Sequence, residues 1–259
     1  MPAGQWMTVS LTASVRIALL AASLAGPLAS AAGRPLVLDV EGLAAWQGRN
    51  VAQVPNDAAG TRFAIDSVTG SGPFATARVQ IAWPLGERQE LRLLAAPLSV
   101  SESGLLGAPV NFQGQRFAAG AVRARYRFDS WRATWRYRWI DRPDLSVKLG
   151  FTAKIRDASI GLAQGEVSAS KDDTGFVPLL HAALERPLGH HWALQADIDA
   201  AAGGPGYAVD AGIRLARDLG GGWSAHAGVR FLDGGADNDE VYAFARFSSV
   251  TLGVSRRFD

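Results

Sequence analysis

Apolar and polar residues alternate along this chain in one block after another. Over 131–139 the odd positions are Trp131, Ala133, Trp135, Tyr137 and Trp139, and the even ones are Arg132, Thr134, Arg136 and Arg138. Side chains of a β-strand point to opposite faces with period two, so this segment carries one aromatic and one cationic face. Residues 145–156 set Leu145, Val147, Leu149, Phe151, Ala153 and Ile155 against Ser146, Lys148, Gly150, Thr152, Lys154 and Arg156. The same alternation runs through 77–83, 122–128, 192–200, 207–215 and 223–231. Each of these blocks has an apolar face without charge and an opposite face that is polar or small.

Two all-β folds accommodate such strands. In a soluble sandwich the apolar faces form the core, and in a transmembrane barrel they meet lipid while the polar faces line the lumen. Segment lengths favour the barrel: the clearest blocks run for 9–12 residues, as a tilted membrane-crossing strand requires, whereas globular strands are typically ~5–6. Aromatics gather at segment ends (Trp83, Phe128, Trp131, Trp139, Trp192, Trp223), as in an interfacial girdle. Tight turns are expected at Pro84–Glu87, Phe128–Ser130, Pro187–His190 and Asp218–Gly221, with longer links at 48–73, 101–116, 168–175 and 233–240. Alternating up-strands and down-strands then gives twelve: 35–46, 74–83, 89–100, 117–128, 131–140, 145–156, 158–167, 176–186, 191–201, 206–217, 222–232 and 244–258. Breaks of the pattern at Leu43, Gly161 and Phe247 suggest bulges, and ten strands is the alternative count.

The face assignment names a lumen. Basic residues expected to line it are Arg78, Arg92, Arg123, Arg125, Arg127, Arg132, Arg136, Arg138, Lys148, Lys154 and Arg156. The acidic residues, chiefly Asp197, Asp199 and Asp210 with Asp39, Glu41 and Glu185, fall on other strands, which would give the barrel a basic wall facing an acidic one. Two outcomes follow. The walls could reach across and pair, plugging the barrel with a charge network, since buried charges are normally partnered. Alternatively the Arg rows could line a narrow monomeric channel and replace the hydration of a small anionic solute.

Composition narrows the class. A short apolar run after Arg16, closed by Leu28-Ala29-Ser30-Ala31-Ala32, reads as a signal peptide over 1–31, leaving a barrel domain over 32–259. The run is too short and too broken by Gly26-Pro27 for a spanning helix. Without residues 1–31 the chain has 25 basic and 24 acidic residues, which argues against a nucleic-acid partner despite a sequence pI near 9.2. The absence of cysteine in 259 residues suits a bacterial envelope protein better than a disulfide-stapled secreted one.

The closing segment Val250–Asp259, which alternates and almost ends on Phe258, resembles the C-terminal strand of bacterial outer-membrane proteins. It departs from that pattern at Asp259 and at Arg256. Stretches such as Gly150–Ala158 and Gly234–Glu240 are similar to segments of uncharacterised outer-membrane barrels. In size and in its Arg rows the chain resembles small porins for acidic oligosaccharides, the oligogalacturonate-specific and sialic-acid channels. The resemblance implies the Gram-negative outer membrane, contact with outer-membrane lipid and lipopolysaccharide, and insertion by the barrel assembly machinery through the last strand. A monomer is expected, with no cofactor.

A lipid-modifying enzyme is the third class, and it finds little among the residues. His190 and His191 belong to a turn, His226 is placed near Asp210, and His181 has no nucleophile motif beside it. Asn56-Asp57 reads as a turn. Asp233, Asp237, Asp239 and Glu240 lack the spacing of a calcium loop. No catalytic or metal-ligating residue is assigned.

Overall fold

Closing a sheet on itself leaves no edge strand, and the chain does this with strands much longer than their alternating cores. A computed structural model describes residues 35–258; the expected signal peptide lies outside the described residues. The strands are β1 (Leu36–Gln53), β2 (Phe63–Ala64), β3 (Phe74–Pro84), β4 (Gln89–Ala96), β5 (Ser99–Leu106), β6 (Val110–Phe112), β7 (Gln115–Phe117), β8 (Gly120–Arg142), β9 (Leu145–Gln164), β10 (Val167–Gly189), β11 (Trp192–Gly203), β12 (Gly206–Gly220), β13 (Trp223–Asp237) and β14 (Tyr242–Phe258). A single helical turn, α1 (Asp66–Thr69), follows β2.

Pairing is antiparallel throughout, and β1 bonds to both β3 and β14, which closes the barrel. β4 and β5 both pair with β8, one below and one above the break at Pro97-Leu98, and act as one interrupted strand. The barrel therefore has ten strands, the alternative count, and not twelve. The two predicted pairs 117–128/131–140 and 145–156/158–167 are each a single strand, β8 and β9. Their mutual register runs unbroken from Arg123↔Ala163 to Arg138↔Lys148, straight through the expected turn at Phe128–Ser130. The expected link at 168–175 is likewise strand, the upper part of β10. Register shifts fall at Gln47/Arg49, Arg138/Ile140, Pro187/Gly189 and Asp218/Gly220, so neither Leu43 nor Gly161 marks a bulge, and the irregularity expected at Phe247 sits opposite it, in β1.

One end carries the first and last described residues and the short turns, among them Gly220–Gly222, where all three residues have positive φ and glycine avoids the Cβ penalty. The other end carries the longer connections. Between them runs an outward band of exposed Trp135, Leu149, Phe151, Leu180, Ile213, Val229, Val250 and Leu252, bordered by Trp83, Trp139, Trp192 and Trp223 at the turn end and by Trp46, Trp131, Phe176 and Phe231 towards the loop end. An apolar belt with aromatic borders around a closed antiparallel barrel is the surface of a membrane-spanning protein.

Above the belt the pattern inverts. In β8 the residues Val122, Ala124 and Tyr126 are buried inside, and Arg123 and Arg125 are exposed outside. Ile160 and Leu162 of β9 are buried with them, as are Phe63, Ile65, Val68, Phe112, Phe117 and Phe247. The segment 54–73 thus folds inward and, with the β6–β7 hairpin, supplies an apolar core to the loop end. Beyond the lipid, water wets the outer face, and apolar side chains gain most by turning in.

Candidate functional site

Inside the belt the lumen holds the charges. β1 presents Asp39 and Glu41; β3, Arg78; β4, Arg92; β8, Arg132; β11, Asp197 and Asp199; β12, Asp210 and Arg214; and β13, His226 and Arg230. Period-two alternation aims all of them to one side of the wall.

Two aspartates organise this layer. Asp210, 3% exposed, accepts hydrogen bonds from Arg78 Nη1 at 3.1 Å, Arg132 Nη2 at 2.5 Å and Arg230 Nη1 at 2.6 Å. Asp199, 1% exposed, accepts from Arg92 Nη2 and Arg132 Nη1, each at 2.8 Å, and from the Thr152 hydroxyl at 2.7 Å. The two arginines meet Oδ2, whereas Thr152 shares Oδ1 with His181, whose Nδ1 lies 2.7 Å from it. Arg132 spans the lumen from β8 to strands β11 and β12 and joins the two centres. Arg230 adds a bidentate contact to Asp197 at 2.8 and 3.1 Å, a geometry suited to the planar guanidinium. A third group joins Asp39 to Arg214 at 3.2 Å and to His226 Nε2 at 2.9 Å.

Of the basic residues expected to line a pore, Arg78, Arg92 and Arg132 lie in this layer, and Lys154 is buried just above it. Arg136 and Lys148 stand nearer the turn end and share Glu90, with Lys148 Nζ 2.8 Å away. Arg138 pairs with Asp141 at 3.2 Å, and Arg156 with Asp173. Arg123, Arg125 and Arg127 do not face the lumen. β8 is continuous and Arg132 points in, so these odd-numbered residues occupy the outer face; Arg127 meets Asp157 there at 2.8 Å. Asp197, Asp199 and Asp210 come together as the core of the network.

Arg214 and Arg230 also line the lumen, outside the expected set, and Arg230 alternates in phase with His226. They stand on the acidic side, so the walls are less segregated than the sequence suggested. His226 contacts Asp39 and not Asp210, because its neighbour across β12 is Ala216. Asn56 donates to Asp237 and to the Asn238 carbonyl. Asp233 stands on the outer face with Arg49, Arg246 and Tyr207. Among the described residues no group of three or more His, Asp or Glu side chains is placed to hold a metal ion.

The network separates two cavities. One, of about 450 Å³, opens at the turn end beside Glu90, Arg136, Lys148, Glu185 and Asp197. The other, of about 600 Å³, lies towards the loop end between Tyr126, Phe128, Lys154 and the β11–β12 hairpin. The layer between them is nearly dry: Arg92, Arg132, Thr134, Thr152, His181, Asp199 and Asp210 are all 4% exposed or less.

No family model matches the sequence, and no curated protein does. By fold the chain is similar to the outer membrane protease OmpT from Escherichia coli, with a TM-score of 0.56 at 8% identity over 86% of this chain and 97% of that one. Looser similarity extends to the transport unit of the autotransporter AIDA-I from Escherichia coli (0.44, 8% identity, 95% and 97% covered). It extends also to the translocator domain of NalP from Neisseria meningitidis (0.42, 15% identity, 94% of each chain). At such identities the likeness concerns the barrel and not an activity.

Proposed function

We propose that this protein resides in the bacterial outer membrane as a closed, non-conducting barrel whose ion-paired interior seals the lumen. The observation that carries this is the nearly dry layer between the two cavities, in which Arg132 bridges Asp199 and Asp210 from the opposite wall. A ten-stranded barrel is only slightly wider than the eight-stranded ones that side chains fill completely. Here paired arginines fill the middle, and an apolar plug from residues 54–73 and 107–119 fills part of the loop end.

A channel for small anionic solutes is disfavoured by the same contacts. Its Arg track would have to replace a solute's hydration, yet Arg78, Arg92, Arg132 and Arg230 already spend their donors on Asp197, Asp199 and Asp210. Freeing one would strand a buried charge, at about 3–5 kcal/mol. In this orientation the short turns face the periplasm and the connections with the apolar plug face outward.

Planar lipid bilayers provide the test. Protein whose slower gel migration after boiling shows that it is folded should insert without producing current steps. Regular anion-selective steps from that same preparation would overturn the closed-barrel reading.

A further inference from the structure

The barrel wall is uneven at the loop end. β10 pairs with β9 along its whole upper half, from Val167 onward, but with β11 only from Leu180↔Ala200 downward. β11 ends at Gly203, and the Gly204-Pro205 turn leads into β12. A strand tilted by roughly 40° gains about 2.5 Å of height per residue, so β10 rises roughly 20 Å above this hairpin. The result is a notch whose base lies level with Phe176, the aromatic border of the apolar belt.

The 600 Å³ cavity opens through this notch. Val177 from the inner face of β10 and Phe176 and Pro178 from its outer face line the same space, opposite Ala201, Ala202 and Gly203. Its walls are mainly apolar and its rim is built of small residues. Its volume falls within the ~300–1,000 Å³ of small-molecule sites, room for one acyl chain and not for a multi-acyl glycolipid.

At its floor lies an ammonium that no carboxylate contacts directly among the described residues. Lys154 is 2% exposed, and among the described residues it makes no salt bridge or hydrogen bond; its Nζ sits 4.5 Å from the Phe128 ring centre. Arg156 beside it is already engaged by Asp173. Burying an ammonium without an anion is costly, and a ligand carboxylate would offset that cost.

We propose that this cavity binds a single-chain fatty acid drawn from the outer leaflet, with its carboxylate on Lys154 and its chain along the apolar wall towards the notch. One ammonium without a direct ion pair suits a monoanion, and a mouth at the border of the belt suits a ligand that resides in the membrane. The proposal rests on the outer-membrane placement and is independent of whether the barrel conducts.

Native mass spectrometry of the folded protein, released from non-ionic detergent micelles, tests it. Palmitate should add once per chain and saturate, and hexadecanol, equal in length but uncharged, should bind about tenfold or more weakly, the loss expected for one charge-assisted hydrogen bond. Lys154→Met should remove the preference for palmitate. Ala201→Phe, which keeps the lysine and fills the cavity, should abolish saturable binding and decides the matter if Lys154→Met does not fold. Non-saturating adducts, equal affinity for the alcohol, or palmitate binding unaffected by the folded variants would overturn the proposal. Current steps in bilayers, by contrast, would refute only the closed barrel.

Discussion

Replacing Asp199 by Asn keeps the shape of the side chain and removes its charge, which makes it the sharpest perturbation of the sealed layer. Asp199 serves Arg92, Arg132, His181 and Thr152 at 2.7–2.8 Å and is 1% exposed. Removing one partner of a buried ion pair costs about 3–5 kcal/mol, since the remaining charge has nothing to meet. Here Arg132 keeps Asp210, Arg92 keeps Asp197 at 3.9 Å, and the amide oxygen still accepts one hydrogen bond. The loss should therefore lie near the lower bound, about 3 kcal/mol. Equilibrium urea unfolding in lipid vesicles, followed by tryptophan fluorescence, would read this as a midpoint lowered by about 1.5 M for a slope near 2 kcal/mol/M. Asp144→Asn is the control: its pair with Arg142 is 74% and 59% exposed on the two sides, and such pairs contribute about 0–1 kcal/mol. If the two variants lose equally little, the interior network is not what holds these strands together.

Two further outcomes follow from the faces of the wall. Val229→Arg places a charge in the apolar belt, where Val229 is 53% exposed, and should destabilise the inserted barrel by about 2–4 kcal/mol. Arg125→Glu, on the outer face above the belt, should leave the unfolding midpoint within about 0.5 kcal/mol of wild type, because surface changes rarely do more. Equal sensitivity at the two positions would show that the belt is misplaced. Gly104 of β5 lies against α1, where an added Cβ would come 2.1 Å from the Val68 carbonyl oxygen. Gly104→Ala should shift α1, cost about 1–3 kcal/mol by overpacking and speed proteolysis within 54–73, whereas an unchanged digestion pattern would refute the docking of that segment.

Alternation over 131–139 and 145–155 was enough to identify strands with one lipid-compatible face. The same parity aimed Arg132, Arg136, Arg138, Lys148, Lys154, Asp197, Asp199 and Asp210 at the opposite side. It failed at Arg123, Arg125 and Arg127, for an instructive reason. In 122–128 the apolar residues are even-numbered, and in 131–139 they are odd-numbered. Read locally, that change of phase looks like a turn at Phe128–Ser130, and it added a strand to the count; the change from Ile155 to Ala158 and Ile160 in β9 added another. The register shows no slip at either place. What changes is the surroundings: within the belt the outer face meets lipid, and above it the outer face meets water while the inside becomes an apolar core.

By itself, then, the sequence determined that this chain is built of long antiparallel strands with one apolar face, because side-chain period and residue type are properties of the strand alone. Whether an apolar face points outward or inward depends on the medium beyond the wall, and that changes along a single strand. Ten strands, the meeting of Arg132 with Asp199 and Asp210, and the notch above Gly203 all rest on which residues lie across the lumen or one strand away. Those separations run to more than a hundred residues in the Arg78–Asp210 pair, and only closure of the barrel brings such partners together.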